Sequence, residues 1–169
     1  MDITNARFGE LVNVMAGFGP VDMAAGANDG DWVGLANYER IAVLLFKAAG
    51  TAGQDVTITL QQATDNAGTG AKDLACIDTV YRKQGTLTSI GQWTVDEQTA
   101  AASWTNDTNA EQAMIALFDV RRRDLDIDND FDYIRARVAD VGAGAQLGAM
   151  LYFGLQPLYG EGATLPSAL

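Results

Sequence analysis

The chain has 169 residues and a mass of 17.9 kDa, enough for one domain that buries about two-thirds of its unfolded surface. Eleven Lys and Arg against 22 Asp and Glu leave a net charge of −11, which opposes binding to DNA, RNA and anionic lipid. There is no histidine, so His-dependent triads and His-ligated zinc are excluded, and the single Cys76 cannot close an intrachain disulfide.

From Met1 to about Asp31 the pattern is irregular. Leu11, Val12, Val14, Met15, Phe18, Val21 and Met23 are interleaved with Gly9, Gly17, Gly19, Pro20, Gly26 and Gly30. Apolar but glycine-broken sequence makes poor helix and poor strand, so residues 1–31 read as an extended N-terminal arm. Such an arm must cover its oily side chains, either along its own domain or, as favoured here, on a neighbouring subunit. Phe8, Leu11, Val14, Met15 and Phe18 are the candidate interface residues. No positively charged stretch precedes an apolar one, so no targeting signal is expected and synthesis in the cytoplasm follows.

From Trp32 the period becomes two. Val56, Ile58 and Leu60 oppose Thr57, Thr59 and Gln61, and Ile134, Ala136 and Val138 oppose Tyr133, Arg135 and Arg137. Strict alternation predicts strands buried on one face. Further strands are predicted at Ile41–Lys47, Ala75–Arg82, Leu87–Val95, Gln112–Val120 and Gln146–Leu155. A short helical turn is allowed near Gly70–Leu74. The run Ile41-Ala42-Val43-Leu44-Leu45-Phe46 is the longest purely apolar one, far too short to span a bilayer. Gly- and Asn/Asp-rich clusters at 48–53, 65–70, 128–130 and 141–144 supply the turns. Seven or eight short strands joined by turns predict an all-β fold, an antiparallel β-sandwich of jelly-roll or Greek-key type over residues 32–169.

No catalytic constellation emerges. The five alternating carboxylates of Asp124-Leu125-Asp126-Ile127-Asp128-Asn129-Asp130-Phe131-Asp132 open like a calcium loop, which makes Asp124, Asp126, Asp128 and Asp130 the calcium candidates. The match then fails, because Asn129 stands at the sixth position and Arg135 at the twelfth. A solvated strand end followed by an Asx-type turn is the favoured reading, with no metal and no cofactor. Arg121-Arg122-Arg123 is followed at once by those aspartates and is read as locally neutralised. Gly68-Thr69-Gly70-Ala71-Lys72 lacks the Lys-Ser/Thr ending of a phosphate loop. The evenly scattered aromatics, Trp32, Trp93 and Trp104 among them, are read as packing residues.

Three stretches carry a resemblance. They are WVGLANYER from Trp32 to Arg40, VTITLQQATDNAGTGAK from Val56 to Lys72, and DLDIDNDFDYIRARVADVGAGAQLGAMLYFGLQPLY from Asp124 to Tyr159. In them the chain resembles small structural proteins of tailed-bacteriophage virions, most closely the capsid decoration, or cement, proteins. The resemblance implies a virion component without catalysis that binds the major capsid protein on the outer shell. It further implies a homo-oligomer, with a trimer favoured. A neck, tail-completion or head-spike role is the alternative. A calcium- or carbohydrate-binding sandwich module, or a two-carboxylate hydrolase, stands further off.

Overall fold

The computed structural model describes residues 6–87, 91–107 and 111–158. Two antiparallel sheets pack on each other, forming the expected all-β sandwich. Twelve strands are described: β1 (Asn13–Asp22), β2 (Asn28–Asp29), β3 (Val33–Gly34), β4 (Tyr38–Lys47), β5 (Thr57–Ala63), β6 (Lys72–Asp73), β7 (Ile77–Gly85), β8 (Thr94–Ala101), β9 (Ser103–Thr105), β10 (Ala113–Arg121), β11 (Tyr133–Val138) and β12 (Leu147–Pro157). One four-residue helix, α1 (Phe8–Leu11), precedes them. No helix among the described residues is long and apolar enough to cross a membrane.

The larger sheet has the order β1-β12-β4-β10-β7-β8. The smaller has the order β2-β11-β5-β6, with β3 also on β11 and β9 also on β5. The alternation in the sequence places Ile58, Leu60, Ile134, Ala136 and Val138 of the smaller sheet inward. Opposite them lie Ile41, Val43 and Leu45 of β4, Met114, Ala116, Phe118 and Val120 of β10, and Met150 and Tyr152 of β12. Tyr152 ties the sheets together: its hydroxyl accepts from the Ala136 amide at 2.9 Å, inside the core.

Three local expectations are revised. Leu87–Val95 was expected as a strand, but the strand begins at Thr94 and runs to Ala101; residues 88–90 lie outside the described residues. The cause is that Thr94–Ala101 is largely exposed, so it carries little apolar alternation to read. The helical turn allowed near Gly70–Leu74 is replaced by the short strand β6. The N-terminal segment is extended as expected, yet it is regular. Residues Asn13–Asp22 pair with β12 from Asn13↔Gly154 to Asp22↔Leu147, with two register shifts that absorb the glycines and Pro20. Met23 follows as a fully buried core residue. Its amide donates to the Gln146 carbonyl at 2.9 Å.

Candidate functional site

The central strands of the larger sheet, β12, β4 and β10, are apolar on both sides, which is unusual for an antiparallel sheet with one covered face. In β4, Ile41, Val43 and Leu45 point inward, so Ala42, Leu44 and Phe46 point out. By the same alternation, β10 turns Ile115 and Leu117 outward and β12 turns Ala149, Leu151, Phe153 and Leu155 outward. Register brings these together. The partners Ala16↔Leu151, Leu151↔Leu44, Leu44↔Leu117, Leu117↔Tyr81 and Tyr81↔Val95 form one row that crosses all six strands without a polar side chain other than the Tyr81 hydroxyl. A second row runs Ala149↔Phe46↔Ile115↔Lys83, and a third runs Val14↔Phe153↔Ala42↔Asp119.

The face is most open at its margins. Phe46 is 53% exposed, and Val95 and Val14 are each 47% exposed, while Leu44, Leu117 and Leu151 at its centre are half-buried and Ala42 is buried. At the β8 side Trp93 stands edge-on to Tyr81, with ring centres 6.5 Å apart, and the Lys83 ammonium lies 4.7 Å above the Trp93 ring. At the far end Arg40 and Asp119 form a half-exposed ion pair at 3.3 Å. On the opposite side of β7 and β8 the chemistry is polar: Arg82 grips Asp96 at 2.7 and 3.0 Å and donates to Gln84.

The five candidate interface residues divide. Phe8, in α1, is exposed, and Val14 lies on the apolar face, across from Phe153. Leu11 is half-buried, whereas Met15 and Phe18 pack against the core. The calcium candidates do not converge. Asp124 accepts from the Arg121 amide at 2.9 Å and closes a 3-10 turn over Arg122–Asp124. Asp126 pairs with Lys72 and accepts from the Asn129 side chain at 2.7 Å. Asp128 is exposed, and Asp130 takes a left-handed φ of 62° to end a second 3-10 turn. Among the described residues, no group of three His, Cys, Asp or Glu side chains is placed to hold a metal. The Gly68–Lys72 loop is closed on itself, because Asp65 accepts from Ala67 N, Thr69 N and Thr69 Oγ1.

Those hydrogen bonds have a consequence for pH. The Thr69 hydroxyl and amide hold the Asp65 carboxyl below the usual range, Lys72 and Asn129 do so for Asp126, and the Gln146 and Ala24 amides do so for Asp22. A carboxyl with a depressed folded pKa contributes stability above its unfolded value, near 4, and that contribution is lost as pH falls through the folded pKa. The expected result is that an Asp22→Asn, Asp65→Asn, Asp126→Asn variant loses less stability than the native chain as pH falls below about 4. Acid titrations followed by circular dichroism check this; parallel limbs would contradict it.

A concavity of about 350 Å³ is lined by Cys76, Asp78, Thr79, Asp119, Arg121 and Asp124, among others. It holds the one thiol, but burial first, then Asp124 and Asp78, push that thiol up to about 12. A thiol so held is not a nucleophile near neutrality. Cys76 is therefore expected to resist a disulfide reagent at pH 8 in the native chain and to react once the chain is unfolded. Rapid labelling of the native chain would contradict the assignment.

No protein-family model matches the chain, and no curated protein matches it. The molecule is defined by its geometry: a β-sandwich whose larger sheet carries a continuous apolar outer face.

Proposed function

We propose that the chain is a structural subunit of a tailed-phage virion, a capsid decoration protein that works without catalysis. In this reading it is made in the host cytoplasm, assembles as a homo-oligomer, and attaches to the major capsid protein on the outer surface of the shell. The observation that carries the reading is the apolar outer face of the larger sheet on an otherwise strongly acidic block. An apolar face on the order of 500 Å² matches the largest patch that a soluble domain carries, and patches of that size are often binding surfaces, which favours assembly. The remaining acidity suits a protein that must stay soluble at high concentration and avoid the packaged genome. The resemblance in Trp32–Arg40, Val56–Lys72 and Asp124–Tyr159 supplies the virion context.

The test is addition of purified protein to particles that lack it. The reading predicts saturable co-sedimentation with the shell and greater resistance of the filled particle to heat. Protein that stays in the supernatant at all concentrations would refute the decoration role.

A further inference from the structure

We propose that the apolar outer face of the larger sheet is covered by the same face of a second copy of this chain. The inference rests on the reading of the protein as an assembly subunit and names what occupies the face.

Size comes first. One row that crosses six strands and two that cross four, with strands about 4.8 Å and rows about 7 Å apart, make a patch on the order of 500 Å². Two such patches meeting remove about 1,000 Å², which reaches the lower bound for a specific interface. The composition fits copies better than a transient partner. The row from Ala16 to Val95 contains no charged residue, as in homodimer interfaces, whose cores resemble a domain interior cut in half. A face of this kind left open until a different partner is met would be an aggregation hazard for as long as it waited.

Charge points the same way. The chain carries −11 in all, so two copies repel over most of their surfaces. The apolar rows of the outer face are kept clear of those charges. Arg40, Lys83, Arg121, Asp119 and Glu97 stand around them, with Arg40 and Asp119 already paired. Asp78 and Asp124 share a concavity with Tyr81, Asp119 and Arg121, so cations and carboxylates alternate along the rim. The shape allows the contact, since sheets stack face to face about 10 Å apart. Pairing through the β1 edge is the less suitable mode, because Pro20 and two register shifts interrupt that strand.

The experiment is light scattering on the eluting full-length protein at roughly 10–100 μM, with Phe46→Glu/Val95→Glu as the variant. Both side chains are about half exposed, so neither substitution opens the core. The native chain is expected to run as a dimer, or as a larger assembly with an even number of copies. The variant is expected to run as a monomer with an unchanged circular-dichroism spectrum, its self-association weakened more than about tenfold. A monomeric native chain would overturn the inference, as would an oligomer that the double substitution leaves intact. These failures are separable from failure of the decoration role. A native monomer that still co-sediments with particles refutes only the self-pairing, and an oligomer that never binds particles refutes only the attachment.

Discussion

Lys47→Met is expected to cost about 3–5 kcal/mol of stability, because it strands a carboxylate in the core. Lys47 ends β4 on its inward side, and its side chain is fully buried. Its ammonium lies 3.3 Å from Glu111 Oε2, equally buried, and donates to the Gln112 carbonyl at 2.9 Å. Burial pushes the Lys47 ammonium down, opposed by Glu111 and Asp55. Burial, and next a hydrogen bond shared with Asp55, push the Glu111 carboxyl up against the pull of Lys47.

Without Lys47 that upward push on Glu111 is unopposed. A carboxyl whose folded pKa is raised is tolerated while protonated, and stability falls as pH rises through that pKa. The loss in Lys47→Met is therefore expected to be larger at pH 8 than at pH 5. The double variant Lys47→Met/Glu111→Leu removes both charges and is expected to regain most of the loss. Urea denaturation at the two pH values measures all of this. A single variant as stable as the native chain, or a double variant no better than the single, would contradict the account.

Gly30→Ala is the second large effect. The Gly30 amide donates to the Ala136 carbonyl at 2.9 Å, and a Cβ at Gly30 would lie 2.3 Å from the Tyr152 hydroxyl and 2.6 Å from Ala136 O. Neither neighbour can give way. One is backbone of the smaller sheet, and the other is the fully buried hydroxyl that bonds the Ala136 amide. The methyl would push apart the point where the two sheets are tied. The expected cost is about 2–3 kcal/mol, or a fall in Tm of roughly 5–10 °C. Gly19→Ala is the control, since nothing lies within 4 Å of a Cβ there, and it is expected to change stability by less than about 0.5 kcal/mol. Equal melting temperatures for the two variants would show that the Gly30 contact is not rigid.

The sandwich was legible because its smaller sheet obeys simple alternation. Val56–Leu60 and Tyr133–Val138 switch sides at every residue, and each inward residue is in the core. The apolar outer face was present in the sequence in a different form. Ile41–Phe46, Ala113–Phe118 and Leu147–Leu155 are near-continuous apolar runs, the pattern of strands covered on both sides. Each run reads as a strand by itself, but whether its second face meets the second face of a neighbour depends on strand order. Leu44 touches Leu117 and Leu151 only because β4 lies between β10 and β12, more than 60 residues away in the chain. The same applies to the Lys47–Glu111 pair, whose members are 64 residues apart and look like ordinary surface charges at strand ends. Strand β8 was misplaced for the opposite reason: as a polar, exposed edge it leaves no apolar trace.

Electron cryomicroscopy of particles carrying the protein tests the central claim most directly. The account predicts density repeated over the whole icosahedral surface, with the outer faces of the larger sheets turned onto sister copies and Phe46, Leu117 and Val95 out of solvent. Density confined to a single vertex or the tail would contradict the decoration role, and copies whose apolar faces point into solvent would contradict the assembly built on them.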